Sequence, residues 1–491
     1  MTTLILCNIG NSDLKADGNR PKLPRPEGEQ LWHTFEDHTF ALPIVTPCLD
    51  HVLQEVGQID RIVLFYTDQP TTPQTTAPDR YGVSLRDKDT LWYAQIAARL
   101  LRERFNSQIG AIDMRRVERS TGQMINPSLY DEAFDAYSDL VTHTYTPGAS
   151  CYVLMAGGIP ACNVALQIQA LSAYGERCRF IYQPEGGTPY DLRVGDQIQA
   201  TFRRATAIEA LGRRDFATAL RSVSEVKNPD AALIALLRYA CYREAFDFAR
   251  ARTALAEGTR QASGELRTFL ASLQSDLLVL DARTDTGALL REVYASAQIT
   301  FGNGRYADFL GRVFRFQEAA LRHIVETRLG IPTDMGKPAR ATNLPRYLQM
   351  IAENLALKTH LDGQQIDDKP LIYDKGPNRP TMSAMLKFLT DGGTRADGRP
   401  YLEKKDKDKF GQVRDRLNAM NNLTELRNQS IIAHGFAGVS REELDAVYKG
   451  NAAGIMADMG RVMEMIGMGK AASPFDRIAE VAADVLRGAI R

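Results

Sequence analysis

Paired cysteines are absent from this sequence. Its six cysteines are scattered along 491 residues, and none stands in a Cys-x-x-Cys pair. That usage argues against a zinc site and is typical of reduced thiols in a cytosol. No apolar run is long enough to span a bilayer, and an apolar strand follows the N-terminus without a basic leader or a cleavage site. We therefore expect a cytoplasmic protein with no metal and no membrane partner.

An excess of charge of either sign is also absent. Lysine and arginine together number 60, and aspartate and glutamate together number 60. A global basic field is therefore excluded, and any contact with nucleic acid has to use local patches. The apolar fraction of 44% and the charged fraction of 24% are those of a globular protein. The length indicates two or three domains.

The first 190 residues alternate short apolar runs with helical stretches. Apolar runs occur at Thr3–Cys7, Arg61–Tyr66 and Cys178–Tyr182, and helical spacing occurs between them at Lys88–Phe105 and Ser128–Val141. This alternation predicts an α/β fold, in which a parallel sheet carries helices on both faces. Such sheets bind ligands beyond the carboxyl ends of their strands.

Two turns at that predicted edge of the sheet combine glycine with polar residues. The first turn, Gly157–Pro160, lies between a strand and a helix. Its glycines let the backbone approach a ligand closely, and Pro160 suits the first turn of the helix. The free backbone amides at the start of that helix attract phosphate. Asn163 should point from that turn toward the same place. Gly10–Asp13 offers a second turn at the same edge. Neither turn is a Walker loop or a Gly-x-Gly-x-x-Gly fingerprint, and either one taken alone is more simply a tight turn of the fold.

Helical spacing replaces the strand pattern from about Gln199 onward. Residues 191–285 are interpreted as an all-α connector and residues 286–491 as a second all-α domain. Leu361–Pro400 is rich in Gly, Pro and Asp, which predicts an extended insertion or a mobile loop. Phe301–Arg328 is predicted to be one long amphipathic helix. Its apolar side carries Phe309, Val313, Phe316, Ala320 and Ile324.

Arg427, Asn428 and His434 stand close together in the run Arg-Asn-Gln-Ser-Ile-Ile-Ala-His. Histidine can move a proton near neutral pH, and arginine carries a permanent charge shaped for phosphate. These are the groups needed to cut a phosphodiester without a metal. Among the seven histidines, only His434 has an arginine five to seven positions before it. Taken alone, the segment could also hold a surface arginine and a core or capping histidine.

The local pattern predicts one helix through this segment. Asn422 can cap it, with Glu425 as the capping-box partner three residues later. Arg427 would then lie in the second turn and His434 in the last, and Gly435 would end the helix. A spacing of seven places arginine and histidine on one helical face, about 10 Å apart along the axis.

The two glycine turns resemble those of the CARF domain, a CRISPR-associated Rossmann-like sensor. The shared features are a strand that ends in Gly10–Asp13 and a later strand that leads into Gly157–Leu166. The resemblance implies a Rossmann-like domain that binds cyclic oligoadenylate, whose phosphates suit glycine turns and helix N-termini. Ile159 stands where the family often has Thr or Ser, so contact there is expected through the backbone. The implied ligand residues are Gly10, Asn11, Ser12, Asp13, Thr67, Gly157, Gly158, Ile159, Pro160 and Asn163.

The C-terminal segment resembles the HEPN ribonuclease domain. The motif of that domain is an arginine, usually followed by a polar residue, then four to six residues and a histidine, and Arg427, Asn428 and His434 match it. Gly311–Glu318 resembles an early helix of the same domain. The resemblance implies that the 2′-hydroxyl of RNA attacks the adjacent phosphate. His434 would act as general acid, base or both, Arg427 would stabilise the transition-state charge, and Asn428 would orient a neighbour or the phosphate.

The order of the predicted domains resembles that of the stand-alone ribonucleases of type III CRISPR systems. It places CARF at 1–190, the connector at 191–285 and HEPN at 286–491. This layout implies a homodimer that binds cyclic oligoadenylate across its CARF domains and cleaves single-stranded RNA at its HEPN domains. The products would carry 2′,3′-cyclic phosphate and 5′-hydroxyl ends, and no metal cofactor is needed. Cyclic tetra-adenylate is favoured over hexa-adenylate by length and layout, and no stable complex with the type III effector is expected.

Three questions of function stay open from the sequence. One is whether the CARF domain cuts its own activator, for which Asn11, Ser12 and Thr67 are suitable residues. The protein could instead be a nucleotide-binding metabolic enzyme whose chemistry occurs at the α/β domain. It could also be a non-catalytic sensor whose helical domain only binds RNA or protein.

Overall fold

The computed structural model describes residues 2–155, 157–184, 186–226, 228–282, 285–366, 368–469 and 473–490. The chain divides into two compact units, Met1–Phe202 and Arg203–Arg491. The first is an α/β unit with a mainly parallel sheet and the second is helical, which confirms the predicted fold class. The division into three domains at 1–190, 191–285 and 286–491 stays a prediction.

A six-stranded sheet forms the centre of the first unit. The strands of this unit are β1 Thr3–Asn8, β2 Lys15–Ala16, β3 Phe40–Ala41, β4 Ile59–Tyr66, β5 Ile109–Arg116, β6 Ser150–Leu154, β7 Cys178–Tyr182 and β8 Tyr190–Leu192. The sheet order is β5-β4-β1-β6-β7-β8, with β8 antiparallel to β7 and the other pairings parallel. β2 and β3 form a separate short antiparallel pair. The carboxyl ends of β1, β4 and β6 therefore meet at one edge.

Helices cover both faces of this sheet. They are α1 Pro24–His33, α2 Val45–Val56, α3 Pro73–Thr76, α4 Leu91–Phe105, α5 Tyr130–Thr144 and α6 Pro160–Tyr174. The side chains of β1 alternate between the faces, as a strand requires. Ile5 and Cys7 pack in a core that includes α2 and α4. Leu4 and Leu6 pack in a second core with α5 and α6. The continuous apolar run at 3–7 is thus the signature of a strand that is buried on both sides.

The second unit is built from helices and one short hairpin in its described residues. In chain order its elements, starting with a helix that begins before the unit, are α7 Val194–Gly212, α8 Phe216–Ser224, α9 Ala231–Glu244, α10 Phe248–Gln261, α11 Gly264–Ala282, α12 Thr286–Gly302, α13 Tyr306–Ile324, α14 Arg340–Glu353, α15 Leu355–Asp362, β9 Gln365–Ile366, β10 Lys369–Pro370, α16 Arg379–Thr390, α17 Lys404–Ala419, α18 Thr424–Gln429, α19 Arg441–Val447, α20 Asn451–Met465 and α21 Pro474–Arg487. α8 to α11 share a hydrophobic core with α21, in which Phe216 and Phe475 bring their ring centroids to 5.8 Å.

The apolar stripe predicted within 301–328 is confirmed on α13. All five of its predicted members are buried, in a core that also includes α16, α17 and α20. The predicted helix began too early, because α12 ends at Gly302 and a turn over 303–305 precedes α13. At the other end a π-helical segment, Val325–Leu329, continues α13. α13 is therefore a central helix of the second unit.

The prediction of an extended or mobile insertion over Leu361–Pro400 is wrong for much of the segment. Residues 379–390 form α16, whose apolar side chains are buried. Asn378 caps this helix, because its side-chain oxygen accepts the Thr381 backbone N–H at 2.9 Å. Pro380 lies in the first turn, where proline is compatible with a helix. The Gly- and Pro-rich composition obscured a helix whose start signal was present in the sequence.

Candidate functional sites

A cavity of about 350 Å³ lies at the carboxyl ends of β1, β4 and β6. The segments that follow these three strands contribute to its lining, at the edge of the sheet where ligands are expected. The structure therefore brings together most of the predicted ligand residues. Those that line the cavity are Gly10, Asn11, Ser12, Thr67, Gly157, Gly158, Ile159 and Pro160.

The two glycine turns approach one another closely. A Cβ atom on Gly10 would lie 1.9 Å from the backbone nitrogen of Gly158, so no larger residue fits there without a shift of the backbone. Gly158 itself has a φ of +101°, a conformation that favours glycine. The glycines thus permit the two turns to form one continuous wall, and Pro160 begins α6 as predicted.

Asp13 does not line the cavity. Its carboxylate is buried and accepts the backbone N–H of Gly10 at 2.7 Å and that of Gly157 at 3.3 Å. Burial raises the pKa of Asp13 to about 6, against the lowering effect of these two hydrogen bonds and of the Arg20 charge. Asp13 therefore holds the two turns together from within the protein.

Asn163 has a similar supporting position. Its side-chain oxygen accepts from the Asn8 amide at 2.8 Å, and its own amide donates to the carbonyl of Gly157 at 3.1 Å. Asn8 in turn accepts from the hydroxyl of the fully buried Tyr137. Asn8 and Tyr137 both line the cavity, and the sequence analysis missed them. A signal was available for Tyr137, since a tyrosine among the buried positions of a helix needs a partner for its hydroxyl.

One further wall of the cavity comes from the segment before α4, which the sequence analysis did not single out. Thr90 and Thr67 exchange hydrogen bonds, each hydroxyl accepting the backbone N–H of the other residue at 3.1 to 3.2 Å. Asp89 accepts the Gln69 N–H at 2.6 Å, and burial raises its pKa to about 6. Lys88 also lines the cavity, and its ammonium group is paired with the carboxylate of Asp79 at 3.0 Å. The predicted residue Thr67 is thus positioned by a neighbouring loop.

The helix predicted through Arg427 and His434 is wrong. α18 ends at Gln429, so Arg427 lies in its last turn, and Asn422 lies in a preceding 3₁₀ turn instead of capping the helix. Ser430 is extended, with φ −88° and ψ 163°, and its hydroxyl donates to the carbonyl of Arg427 at 2.8 Å. Serine side chains compete for backbone groups in this way and so oppose helix continuation.

The chain after α18 folds back on the end of the helix. The N–H of Ala437 donates to the carbonyl of Gln429 at 3.0 Å, and the N–H of His434 donates to the carbonyl of Asn428 at 3.3 Å. A Cβ on Gly435 would lie 1.9 Å from the Gln429 carbonyl oxygen. Gly435 therefore permits a close backbone crossing in place of the helix stop that was predicted.

Arg427 and Asn428 are joined through their side chains. The guanidinium of Arg427 donates to the Asn428 side-chain oxygen at 2.9 Å and 3.3 Å, and its central carbon lies 4.7 Å from the ring centroid of Phe314 on α13. Arg427 forms no ion pair with a described residue. The exposed ring of His434 forms no hydrogen bond with one either. The last turn of α18 thus carries a guanidinium that no described carboxylate neutralises, and the loop after it carries an exposed histidine.

Two negative findings apply to the described residues. No three side chains of the types His, Cys, Asp or Glu gather there as a metal ion would require. None of the helices formed by those residues has the length and apolar character needed to cross a membrane.

Comparison with known proteins gives a distant structural likeness. No family model matches the sequence, and no curated protein matches it. Solved structures do match, among them Enterococcus italicus Csm6 bound to cyclic hexa-2'-fluoro-hexa-dAMP. That alignment has 12% sequence identity, covers 99% of this chain and 100% of that chain, and has a TM-score of 0.48. A likeness at this level is too distant to transfer a function from one protein to the other.

Proposed function

We propose that this protein is a cyclic-oligoadenylate-activated, metal-independent endoribonuclease that cleaves single-stranded RNA in antiviral CRISPR defence. It acts as a cytoplasmic homodimer without a stable complex with the type III effector. The observation that carries the proposal is the Arg427 guanidinium, which Asn428 holds and which has no carboxylate partner among the described residues. The exposed His434 follows in the next loop, where its backbone N–H donates to the carbonyl of Asn428. A positive charge that no carboxylate neutralises suits a phosphodiester substrate, and an exposed histidine in the adjoining loop can move the protons.

The proposed reaction uses these three side chains in different ways. The 2′-hydroxyl of RNA attacks the adjacent phosphate, and the 5′-oxygen of the next nucleotide leaves. His434 moves the protons as general acid, base or both. Arg427 stabilises the charge that develops on the phosphate oxygens, and Asn428 fixes the guanidinium through the hydrogen bonds described above. The products are a 2′,3′-cyclic phosphate and a 5′-hydroxyl.

The cavity of the α/β unit is the proposed activator site. Its glycine turns present backbone amides, and Pro160 marks the N-terminus of α6, where the helix dipole favours an anion. A cyclic oligoadenylate has repeating phosphates, so two copies of the cavity related by a two-fold axis can bind one ring. Tetra-adenylate is favoured over hexa-adenylate. Asn11, Ser12 and Thr67 at the same site are the residues proposed for degradation of the activator.

An exposed apolar face on α5 and α6 supports the proposed homodimer. Tyr130 and Phe134 on α5, and Val164 and Ile168 on α6, are exposed large apolar side chains. The two helices pack against each other, and the Gln169 amide of α6 reaches the carbonyl of Phe134 at 3.4 Å. Tyr130 and Phe134 are four residues apart on α5, and Val164 and Ile168 are four residues apart on α6, so each pair lies on one face of its helix. We call these four residues the α5–α6 patch. A second copy of the chain is the proposed occupant.

The proposal can be tested with purified protein and labelled single-stranded RNA in EDTA. Cyclic tetra-adenylate, cyclic hexa-adenylate or neither is added, and product ends are identified by mass spectrometry. We expect RNA cleavage only when a cyclic oligoadenylate is present. We expect the cleavage rate to fall by about a hundredfold or more in Arg427→Ala and in His434→Ala. His143→Ala, at an exposed histidine of the other unit, should cut like wild type.

Two outcomes would contradict this function. One is that neither ring stimulates cutting, and the other is that the double variant Arg427→Ala/His434→Ala cuts as well as wild type. RNA binding without cleavage under any ligand would favour the non-catalytic sensor. Turnover of a small nucleotide that survives His434→Ala would favour the metabolic enzyme.

A further inference from the structure

Two guanidinium groups of the second unit share one aromatic ring. The central carbon of Arg427 lies 4.7 Å from the ring centroid of Phe314, and that of Arg379 lies 5.7 Å from the same centroid. The two carbons are therefore no farther apart than the sum of these distances. Arg379 is the first residue of α16, in the segment that the sequence predicted to be a loop. Its proximity to the Arg–Asn–His group was not foreseen.

Both arginines are held by neutral amides instead of carboxylates. Arg427 donates to Asn428, and Arg379 donates to the side-chain oxygen of Gln317 at 2.9 Å. Neither forms an ion pair with a described residue, whereas many other arginines of this chain do so. Neutral acceptors fix the direction of a guanidinium and leave its charge unbalanced.

Gln317 is itself fixed in one orientation. Its side chain is buried, and its amide nitrogen donates to the carbonyl of Leu417 at 2.6 Å and to the Asn421 side chain at 2.8 Å. With the nitrogen committed to these acceptors, the oxygen is the atom available to Arg379. The buried amide thus acts as a support that holds the Arg379 guanidinium beside Phe314.

The acid whose charge acts on Arg379, Glu318, already forms ion pairs with other arginines. Burial first, and then the positive charge of Arg427, lower the pKa of Arg379, while Glu318 acts in the opposite direction. Glu318 forms ion pairs with Arg315 at 3.0 Å and with Arg322 at 2.9 Å. A cation at the start of a helix also opposes the helix dipole. Arg379 is therefore in an electrostatically unfavourable position, which a bound anion would relieve.

We propose that Arg379 is an RNA-binding residue of the ribonuclease site and holds the phosphate next to the one that Arg427 contacts. The inference rests on the proposed function, because it takes the Arg427 site to act on RNA. Guanidinium groups match phosphate oxygens through two parallel hydrogen bonds. Two guanidinium groups beside the same phenylalanine ring can therefore bind successive phosphates of one RNA strand, independently of base sequence.

The test measures RNA affinity in a background that cannot cut. His434→Ala protein saturated with activator is titrated with a labelled single-stranded oligoribonucleotide at several salt concentrations. Adding Arg379→Gln should weaken binding by roughly tenfold and reduce the slope of log affinity against log salt by about 0.7, the value for one single-strand phosphate contact. In the His434-intact protein, the same substitution should raise KM and leave kcat within about threefold.

Arg414→Gln is the matched control. Arg414 is a residue of α17. It forms an ion pair at 3.2 Å with Asp391, which directly follows the C-terminal end of α16. Its charge is balanced, so its loss should change neither the affinity nor the salt slope. Thermal unfolding and activator binding of each variant establish that the fold is intact.

The two proposals fail in distinguishable ways. If the His434→Ala parent binds no RNA, the ribonuclease function fails and this inference fails with it. If the parent binds RNA and Arg379→Gln binds with the same affinity and salt slope, only the role of Arg379 is overturned. If Arg379→Gln does not fold, Arg379→Lys is used as the test variant instead. It keeps the charge but loses the planar fork, so the salt slope should be retained while affinity falls, and unchanged affinity would overturn the role.

Discussion

Asp13 is the predicted ligand residue whose interpretation changes most. The sequence placed it in a polar turn and could not distinguish it from Asn11 or Ser12, which do line the cavity. The structure places its carboxylate between two backbone amides of different turns. The second of those amides is 144 residues away in sequence. A role that depends on such a distant partner cannot be found from a local pattern.

Asp13→Asn should change how stability depends on pH. The pKa of Asp13 in the folded protein is about 6, above its ordinary value of 3.8. Its stabilising contribution is therefore fully present below about pH 4 and is lost as the pH rises through about 6. Over that range we expect the free energy of unfolding of wild type to fall by up to about 3 kcal/mol relative to the variant.

Denaturant unfolding of both proteins at intervals from about pH 4 to about pH 7 measures this difference. Asp37→Asn, at an exposed aspartate of the same unit, should follow wild type throughout. Parallel curves for Asp13→Asn and wild type would show that the buried carboxylate does not gain a proton in this range.

At the scale of elements, the loop after α18 decides how the proposed catalytic residues are arranged. A continuous helix would have fixed Arg427 and His434 on one face by helix geometry alone. Instead, hydrogen bonds from Ala437 and His434 back to the end of α18 define the loop. The position of His434 therefore depends on a backbone crossing at Gly435, where there is no room for a side chain.

Gly435→Ala should impair RNA cleavage without preventing RNA binding. The added methyl group would overlap the Gln429 carbonyl oxygen, so the loop has to shift and His434 moves with it. A shift of this kind in a proton-transfer residue is expected to lower kcat by about a hundredfold. Activator-stimulated single-turnover cleavage measures the effect.

Gly438→Ala is the control in the same loop, since a Cβ there meets no atom within 4 Å. It should cleave RNA at close to the wild-type rate. Equal rates for Gly435→Ala and Gly438→Ala would mean that the loop conformation does not set the position of the histidine.

The elements that sequence predicted well are those defined by their own periodicity. α13 shows its five buried positions through helical spacing, and β1 is a plain apolar run. The failures lie where one local signal concealed another. The capping pattern at Asn422 predicted a helix that Ser430 interrupts, and the composition of 361–400 concealed α16. The placement of Arg379 beside Phe314 depends on α16, so it could not be predicted once that helix had been missed.

At the scale of the whole molecule, the proposed function requires two copies of the chain. One copy supplies one Arg427, one His434 and one activator cavity. The proposed activator spans two cavities, and the resemblance to HEPN implies a composite ribonuclease centre that takes arginine and histidine from both copies. Coupling between the two ligands is reciprocal by thermodynamic linkage. If the activator raises the affinity for RNA by some factor, RNA must raise the affinity for the activator by the same factor. A monomer should have neither the composite centre nor the coupling.

Charged substitutions on the α5–α6 patch should therefore remove activity without touching either proposed site. Phe134 and Ile168 are 40% and 43% exposed, and burial of a glutamate at each position against a second copy is unfavourable. We expect Phe134→Glu/Ile168→Glu to sediment as a monomer at concentrations where wild type is a dimer, and to lose activator-stimulated RNA cleavage by at least about tenfold. Leu278→Glu, at an exposed leucine of α11, should remain dimeric and active. A monomeric double variant that still cleaves RNA in response to the activator would contradict the composite site, whereas a dimeric double variant would move the interface to another face.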